Sequence, residues 1–552
     1  MISIFIICLS LAAFTFAVPL QIDLGYSIYK GVANSTTGLT TFKGIRYAAP
    51  PLGSLRWQAP QNPTVNRTNV IDAANFGPAC PNSPLSLGSL GSVGAIIGDE
   101  DCLNLNVYAP SSIPSTGLPV LVYIHGGGYG AGNGQLDMTS IINANGNSFI
   151  AVAIQYRLGA FGFLSSALVK SSGVLNAGIL DQNFALHWVQ NYIHLFGGDP
   201  NQVTISGDSA GGGSVMLHDM AYGGTLGDSL FVNSISASPY LPMPYNYGDS
   251  VPTQFFNTFA AAAGCPTTAT TTMACLRAQN TTTLQQAAFS VAGEYGTWAF
   301  PPVTDGTYIQ QRPSQALLQK KVNGKRHLTS NCANEGNLFV PTIASQSDLA
   351  AWINLTYPLF TASDKATLQS LYPVTISYQE TAYEIYGETI IICPSYWLAE
   401  AYSAKPTLEG YKSQYSVPLA LHATDVPAYF GSPTVNQGPD FVKALQTIWG
   451  NFITNNNPSI TNALANGASS SNPNARNPIS SWPLYSSTTP NMINLNETGG
   501  VAANVTTFGI VTIEYIEPGL LNNFTLVNAA AFDNRRGARC DFWRQVGADV
   551  PE

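Results

Sequence analysis

The segment Val203-Thr204-Ile205-Ser206-Gly207-Asp208-Ser209-Ala210-Gly211-Gly212 decides the fold of this chain. A short apolar run, typical of a strand, leads into Gly-x-Ser-x-Gly, and a helix-like stretch follows. A serine on so sharp a strand-to-helix turn has strained backbone dihedrals, so its neighbours must be small, and Gly207 and Gly211 leave that room. The positive end of the following helix favours negative charge beside the serine hydroxyl. The segment predicts that Ser209 is a nucleophile.

A glycine-rich segment follows an apolar run further upstream. The run Leu118 to Ile124 is typical of a buried strand, and it ends at His125-Gly126-Gly127-Gly128-Tyr129. Consecutive glycines let two backbone N–H groups turn toward one point, as an oxyanion hole requires, and the N–H of Ala210 would supply a third. The same residues match a relaxed dinucleotide-binding pattern, but no helix pattern follows and no ribose-binding acid stands at the expected distance.

The order of residues along the chain selects the catalytic base. In α/β-hydrolases the triad runs serine, acid, histidine. His422 is the remaining candidate, because three histidines precede Ser209, one follows it within the same helix-like stretch, and one precedes the preferred acid. Residues 417–421, directly before His422, are predicted to form a strand, after which a loop would carry the histidine over the carboxyl end of the sheet. The other histidines are His125, His187, His194, His218 and His327.

Three carboxylates compete for the role of the acid. Glu335 is preferred, because residues 325–331 suggest a strand and Glu335-Gly336 places a carboxylate on the turn that ends it. Asp305 and Asp425 stay open as alternatives, although aspartate is also common in loops, where its carboxylate orients the backbone.

Seven longer stretches resemble the type-B carboxylesterase/lipase family, which includes cholinesterases and secreted fungal lipases. They are EDCLNLNVYAP (100–110), HGGGY (125–129), QYRLGAFGFL (155–164), GILDQNFALHWVQNYIHLFGGDPNQVTISGDSAGGGSV (178–215), NCANEGNLF (331–339), LALHATDVPAYFG (419–431) and RCDFW (539–543). The resemblance implies an α/β-hydrolase fold, in which helices cover a large, mostly parallel central sheet. It also implies a triad of Ser209, Glu335 and His422.

The same resemblance implies further roles for individual residues. The oxyanion hole would be formed by Gly127, Gly128 and Ala210. Arg56 would pair with Glu100, and Arg157 with Asp181, as structural ion pairs. The residue before the nucleophile is Asp208, where many family members carry glutamate, and we expect this difference to alter only the hydrogen bonding around the triad.

The chain opens on an apolar run, residues 2–17, which ends in small residues and has the length of a signal peptide cleaved after Ala17, although no lysine or arginine marks its start. Residues 18–552 are expected to form one catalytic domain, because no proline-rich or charged linker and no repeat divides them. Helices are predicted at residues 379–404, 439–454 and 526–546. Seven glycosylation sequons agree with secretion, at Asn34, Asn66, Asn280, Asn354, Asn496, Asn504 and Asn523.

The cysteines outside the leader indicate disulfides. Cys80 and Cys102 bracket a loop, Cys265 and Cys275 bracket a shorter one, and Cys393 and Cys540 are far apart and stand at disulfide positions of the family. Cys332 is left over, and an odd thiol in a secreted chain is usually buried. No cysteine and histidine cluster has metal-ligand spacing, so neither a metal nor a cofactor is inferred.

These features together predict a secreted serine hydrolase of carboxylic esters. Only 10% of residues are charged and the net charge is −9, which argues against nucleic acid as a partner. A non-catalytic binding protein on the same fold is the rival from another class, and the intact Ser209 and His422 disfavour it. Candidate walls of an apolar substrate pocket are Tyr129, Tyr240, Trp298, Phe300 and Phe430.

The loop between Cys80 and Cys102 is predicted to be a short, mobile apolar flap near the site entrance. It carries apolar residues at helix-like spacing (Leu87, Leu90, Val93 and Ile97), interrupted by Gly88, Gly91 and Gly94. A flap this short favours a carboxylesterase acting on small, dissolved esters, with transient contact with lipid surfaces. A triacylglycerol lipase with a lid is the alternative.

Overall fold

The computed structural model describes residues 15–83, 85–86, 92–93, 97–295, 298–403, 405–431, 433–507 and 509–550. Its strands are β1 (Thr15–Ala17), β2 (Gln21–Asp23), β3 (Ile28–Lys30), β4 (Val32–Asn34), β5 (Leu39–Arg46), β6 (Val70–Asp72), β7 (Leu85–Ser86), β8 (Ser92–Val93), β9 (Asn104–Pro110), β10 (Ser112–Pro114), β11 (Leu118–Ile124), β12 (Ile150–Ile154), β13 (Gly198–Asp208), β14 (Asn233–Ala237), β15 (Arg326–Cys332), β16 (Glu409–Tyr415), β17 (Asn491–Thr507) and β18 (Ile510–Asn528).

The α-helices surround these strands. They are α1 (Thr139–Ala144), α2 (Gly159–Phe163), α3 (Ala167–Ser172), α4 (Ala177–Tyr192), α5 (Ala210–Asp219), α6 (Ser250–Ala262), α7 (Thr272–Ala278), α8 (Thr281–Tyr295), α9 (Pro313–Leu318), α10 (Gln346–Thr356), α11 (Ala362–Leu371), α12 (Tyr378–Gly387), α13 (Cys393–Ala401), α14 (Val426–Phe430), α15 (Pro439–Asn455), α16 (Asn462–Asn466) and α17 (Phe532–Gln545). None of the helices within the described ranges is both long and apolar enough to cross a membrane.

The central sheet joins eleven of the described strands in the order β18-β17-β16-β15-β14-β13-β11-β12-β9-β5-β4. The strands from β12 to β17 pair in parallel, and antiparallel strands complete both edges. Helices cover the sheet, as the α/β-hydrolase prediction requires. The parallel strand β11 is almost wholly buried, which explains why its sequence is continuously apolar.

The two faces of the sheet support two separate hydrophobic clusters. Successive side chains of a strand point to opposite faces. Accordingly, Val120 and Val122 of β11 belong to one cluster, whereas Leu121 and Tyr123 belong to the other. The central strands are therefore held by packing on both sides, which makes their carboxyl ends a rigid base for a site.

Three local predictions need correction. The strand that precedes His422 is β16, and the predicted strand-like residues 417–421 form a loop after it. The predicted helix 526–546 begins only at Phe532, because the preceding residues finish β18. The predicted helix 379–404 is divided by a π-helical turn at Glu388–Ile392.

Two further predictions fall largely outside the described residues. Residues 1–14 of the predicted leader are not described, while β1 pairs with β10. Of the predicted flap, Leu87 and Leu90 lie outside the described residues. Its described part includes the two-residue strands β7 and β8, which pair with each other.

The structure contains the disulfides Cys80–Cys102, Cys265–Cys275 and Cys393–Cys540, and Cys332 is free and buried. It also contains both ion pairs that the family resemblance implied. Arg56 lies 2.5 Å from Glu100, and Arg157 lies 2.7 Å from Asp181, all four side chains being largely buried. The two ion pairs connect segments within the first third of the chain.

Candidate active site

The turn at Ser209 lies between β13 and α5 and has the strain that the sequence predicted. Ser209 has φ 55° and ψ −125°, outside the regions that ordinary residues favour. A Cβ at Gly211 would lie 2.0 Å from the Ile124 carbonyl oxygen, and one at Gly207 would lie 2.4 Å from the Gly211 backbone. Both glycines are therefore required by close backbone approach, and the turn packs directly on the end of β11.

The structure brings Ser209, His422 and Glu335 into one line of hydrogen bonds. The Ser209 hydroxyl lies 2.8 Å from His422 Nε2, and His422 Nδ1 lies 2.5 Å from Glu335 Oε2. These side chains follow β13, β16 and β15, which are close neighbours in the sheet. Because the carboxyl ends of parallel strands meet at one edge, residues far apart in sequence converge there.

The loops that carry the acid and the histidine are fastened to each other. The Asn334 backbone N–H donates to the Ala420 carbonyl at 2.9 Å, and its side-chain amide donates to the Leu419 carbonyl at 2.7 Å. Asn334 directly precedes Glu335, so the distance between carboxylate and imidazole is fixed by a backbone contact. The positive φ of Ala420, 50°, shows how sharply the histidine loop bends there.

The Glu335 carboxylate is fully buried, and its second oxygen is also satisfied. Oε1 accepts hydrogen bonds from the Ser238 hydroxyl at 2.7 Å and from the Cys332 backbone N–H at 2.6 Å. These hydrogen bonds leave no polar atom of the buried carboxylate without a partner, and an unpartnered one would be destabilising. Sequence reasoning missed Ser238, because only the pairing of β14 beside β15 places it there.

The two alternative acids occupy different places. Asp305 accepts hydrogen bonds from the backbone N–H groups of residues 307–309 and thereby holds a loop. Asp425 is buried close to the triad, where it contacts the Cys332 thiol at 3.5 Å and accepts from the Tyr429 hydroxyl at 2.9 Å. In this geometry neither Asp305 nor Asp425 receives the hydrogen bond from His422.

Carboxylates around His422 determine its proton affinity. Burial lowers the pKa of His422, but Glu335, Asp208 and Asp425 raise it, and the net shift is upward from the usual 6.5. Burial, together with the charge of Glu335, raises the pKa of Asp425 to about 6. Asp208 accepts a hydrogen bond from the Tyr123 hydroxyl, and burial raises its pKa as well. The site therefore favours a positive charge on the imidazole.

The glycine loop after β11 lies beside the nucleophile. Gly127 and Gly128 have φ values of 111° and 62°, which favour glycine, and a Cβ at Gly126 would lie 2.9 Å from that of Ser209. Ala210 is the first residue of α5, where helix N–H groups lack partners within the helix. The glycine loop therefore packs against the nucleophile at Gly126, and the role of the Gly127, Gly128 and Ala210 N–H groups as an oxyanion hole stays a prediction.

A buried hydrogen-bond network stands behind the glycine loop. The Tyr129 hydroxyl donates to the Tyr240 carbonyl at 3.4 Å, and the nearby Ser214 hydroxyl accepts from Gln182 Nε2 at 3.0 Å. Gln182 Oε1 lies 2.9 Å from His218 Nε2, and His218 Nδ1 lies 2.7 Å from the Tyr308 hydroxyl. Burial lowers the pKa of His218 to about 3, so the imidazole is neutral in this network. Tyr129, which follows Gly128, is held beside this network by its hydrogen bond to the Tyr240 carbonyl.

The predicted pocket aromatics have different surroundings. Trp298 lies against the glycine loop, since a Cβ at Gly128 would be 2.2 Å from its ring. Tyr129 and Tyr240 pack 6.0 Å apart, and Phe300 packs on Phe259 at 5.6 Å.

Phe430 lies elsewhere, in the core cluster between the sheet and α15. Its ring packs against those of Tyr123 and Trp449, at 4.9 Å and 6.1 Å. The structure therefore places Phe430 as a core residue rather than a pocket wall.

Sequence reasoning missed an aromatic residue at the triad itself. The Phe339 ring stands edge to face with His422, with 5.1 Å between the ring centroids, and Tyr386 packs behind it at 6.0 Å. Phe339 is the fourth residue after Glu335, but no pattern in the sequence indicates that its ring turns back onto the histidine.

Comparison with known proteins identifies the family. The profile of the carboxylesterase family matches residues 27–508. The chain belongs to the carboxylesterase family. This assignment places it among the carboxylic ester hydrolases, as the sequence predicted.

The most similar proteins carry esterase and lipase names. Carboxylesterase patB of Aspergillus clavatus is 31% identical over 501 residues, which cover 79% of this chain and 88% of that protein. A secreted lipase of Arthroderma benhamiae is 31% identical, covering 68% and 75%. Lipase 2 of Geotrichum candidum is 33% identical, covering 64% and 69%. The family therefore contains both kinds of ester hydrolase.

Solved structures agree in fold. EstA of Aspergillus niger superposes with a TM-score of 0.77 at 28% identity, covering 97% of this chain and 99% of that one. A PNB esterase superposes with a TM-score of 0.70 at 27% identity, covering 90% and 97%. The carboxylesterase described here thus shares its architecture with esterases over nearly its whole length. Its described residues include no cluster of three or more acidic, histidine or cysteine side chains that could hold a metal ion.

Proposed function

We propose that this carboxylesterase is a secreted serine esterase, and that Ser209, His422 and Glu335 hydrolyse carboxylic esters through an acyl-enzyme. The observation that carries the proposal is the line of hydrogen bonds from the Ser209 hydroxyl through His422 to Glu335, 2.8 Å and 2.5 Å long. A hydroxyl in contact with a neutral imidazole nitrogen, itself oriented by a buried carboxylate, is the arrangement that activates a serine nucleophile.

The reaction proceeds in two halves. Ser209 Oγ attacks the ester carbonyl carbon while its proton passes to His422 Nε2, and the carbonyl oxygen becomes an oxyanion. The N–H groups of Gly127, Gly128 and Ala210 stabilise this oxyanion, each donor contributing about 3 kcal/mol in comparable enzymes. The carbon–oxygen bond to the alcohol then breaks, and His422 returns its proton to the leaving alkoxide. Water repeats these steps on the acyl-enzyme and releases the acid.

Glu335 acts on the imidazole rather than on the substrate. It accepts the Nδ1 hydrogen, which leaves Nε2 free to take the serine proton, and its charge stabilises the imidazolium that forms. Ser238 and the Cys332 N–H hold its other oxygen, so the carboxylate keeps its orientation toward Nδ1.

The substrates are small, dissolved esters, with only transient contact with lipid surfaces. The loop closed by Cys80 and Cys102 spans 22 residues, which favours a short flap over a broad lipase lid. The Trp298 ring lies on the glycine loop and restricts the space beside the predicted oxyanion donors. Residues 18–552 act as one catalytic domain, and the names of secreted relatives support export of the mature chain.

Replacement of the nucleophile tests the proposal. Ser209→Ala should lower kcat by about 10⁴-fold or more on a soluble ester, while the melting temperature stays close to that of the wild type. A fluorophosphonate probe should label Ser209 of the wild type, as located by peptide mass spectrometry, and should not label the variant. Labelling at another serine, or full activity of Ser209→Ala, would refute the proposal.

A panel of esters with graded acyl chains tests the substrate class. The highest kcat/KM should fall on short, soluble esters. If kcat/KM rises steadily up to long-chain glycerides, the substrate assignment is wrong, although the triad assignment is unaffected.

A further inference from the structure

Strands β17 and β18 extend beyond the sheet as a two-stranded arm. Within the sheet β17 pairs with β16 only from Ile493 to Leu495, but it continues to Thr507, and β18 stays paired with it along that length. We call residues 496–507 and 510–523 the ribbon arm. At about 3.3 Å per residue its first strand extends by up to about 40 Å. It leaves from the carboxyl end of β16, which is the edge of the sheet that carries His422.

The inner face of the ribbon arm is anchored to the rest of the molecule. Glu514 is 1% exposed, and its carboxylate accepts a hydrogen bond from the Asn436 side chain, which also donates to the Pro418 carbonyl. Val505 and Leu520 are buried as well. The arm is therefore held over the loop that leads to His422, and its opposite face is free to meet solvent.

The outer face of the arm carries an apolar stripe on the edge strand. Val511, Ile513 and Tyr515 alternate along β18 and are 65%, 73% and 56% exposed. Strand β18 is also the last strand of the sheet. A long, exposed apolar edge strand tends to pair with another chain unless something blocks it.

A glycosylation sequon lies on the same outer face. Asn504 and Thr506 of the sequon Asn504-Val505-Thr506 are exposed, and they stand directly opposite Ile513 and Val511 in the strand register. Side chains opposite each other in an antiparallel pair have Cβ atoms about 5 Å apart, and diagonal neighbours such as Tyr515 lie about 7–8 Å away. A sugar on Asn504 would thus begin within contact distance of all three apolar side chains.

We propose that Asn504 carries an N-linked glycan, and that this glycan lies over the stripe of Val511, Ile513 and Tyr515 and prevents edge pairing with a second copy of the chain. The inference rests on the secretion included in the proposed function. The modification joins Asn504 Nδ2 to C1 of an oligosaccharide delivered on a lipid pyrophosphate. The sugar–phosphate bond breaks, the lipid pyrophosphate leaves, and the amide nitrogen loses one proton.

Removing the sequon tests the proposal, with a second sequon as control. Thr506→Ala keeps Asn504 but abolishes the acceptor, and Thr282→Ala does the same to the sequon at Asn280, an exposed residue directly before α8. Both variants and the wild type are secreted from a eukaryotic host. Glycopeptide mass spectrometry, binding of the apolar dye ANS, and light scattering at increasing protein concentration are then compared.

Glycan is expected on Asn504 of the wild type, which should remain monomeric at concentrations where Thr506→Ala self-associates. Thr506→Ala should bind at least twice as much ANS as the wild type. Thr282→Ala should match the wild type in dye binding and in mass. The double variant Thr506→Ala with Ile513→Asp should be monomeric again. Trimming the folded wild type to one sugar per site should have an intermediate effect. Activity on a soluble ester should be equal per monomer in all variants, which separates this inference from the proposed function.

Three outcomes would overturn the inference. The first is an unmodified Asn504 in the secreted wild type. The second is equal dye binding and equal mass of Thr506→Ala and Thr282→Ala. The third is binding of the glycosylated wild type to neutral phosphatidylcholine vesicles that Ile513→Asp abolishes, which would make a lipid surface the occupant of the stripe.

Discussion

His422 is surrounded by carboxylates, and this sets the pH dependence of the reaction. Only the neutral imidazole can accept the serine proton, and the neighbouring charges raise its pKa above the usual 6.5. The acid limb of kcat/KM should therefore rise with a midpoint above pH 6.5. Asp425→Asn removes one negative charge and should move that midpoint to lower pH. A rate that is flat from pH 5 to 8 would rule out a histidine base.

Replacing Glu335 or Asp425 by its amide should change the esterase activity to very different extents. Glu335→Gln replaces the acceptor of the Nδ1 hydrogen and should lower kcat by about 10⁴-fold, because the imidazole then adopts the wrong tautomer. Asp425→Asn should keep most of the activity at pH 8, since Asp425 contacts Cys332 and Tyr429 rather than the imidazole. Steady-state kinetics of both amides on one soluble ester decide between them. A crippled Asp425→Asn beside a nearly normal Glu335→Gln would reverse the acid assignment.

The Tyr129 hydroxyl should affect catalysis without touching the substrate. Its hydrogen bond to the Tyr240 carbonyl fastens the residue that follows Gly128, and Tyr129 itself has the unfavourable φ of 60°. Loss of one buried hydrogen bond costs about 0.5–1.5 kcal/mol, so Tyr129→Phe should lower kcat about two- to tenfold with little change in KM. Tyr26→Phe removes a hydroxyl that bonds the distant Arg46 carbonyl and serves as the control. Equal kcat values for both variants would show that the glycine loop needs no such support.

At the scale of elements, the turn between β13 and α5 depends on glycine. Gly211→Ala would drive its Cβ against the Ile124 carbonyl oxygen, whereas nothing lies within 4 Å of a Cβ at Gly293 in α8. We expect Gly211→Ala to lower the melting temperature by several degrees and to lose most of the esterase activity. The reason is that the backbone beside Ser209 must move to make room for the added Cβ. Gly293→Ala should instead stabilise the helix by up to about 1 kcal/mol. Thermal unfolding of both variants tests the contrast, and a Gly211→Ala protein with normal stability would contradict it.

The strands that end at the active site differ in how well their sequences predict them. Strands β11 and β13 contain apolar runs because packed elements cover both faces, and such runs predict buried parallel strands directly. Strand β16, EGYKSQY, is polar, and its position was misassigned to the loop after it. Lys412 is buried there only because Asn331 and the Ser413 carbonyl accept its hydrogens and the Tyr396 ring lies beneath it at 4.9 Å. Asn331 and Tyr396 are distant from Lys412 in the sequence, so these contacts leave no periodic pattern.

At the scale of the whole molecule, the rate of ester hydrolysis should depend on the concentration of dissolved substrate rather than on the amount of aggregated substrate. With a short-chain glyceride, the rate should saturate below the solubility limit and change little as droplets appear. The physical reason is that the proposed flap, confined to the 22-residue Cys80–Cys102 loop, would cover little surface, so a lipid interface would gain little by displacing it. A sharp increase in rate at the solubility limit would indicate a true lipase.

The sequence by itself determined the fold class, and it predicted the nucleophile, the glycine loop and, through the order of residues, His422 as base. Each follows from local chemistry: a strained serine turn needs glycine neighbours, and buried parallel strands need continuous apolar runs. Only the tertiary structure decided which carboxylate receives the His422 hydrogen bond, that Ser238 and Phe339 join the site, and that Phe430 belongs to the core. Those contacts join residues that lie far apart in the sequence or across a turn, so they exist only once the sheet has ordered its strands and the loops have packed against one another.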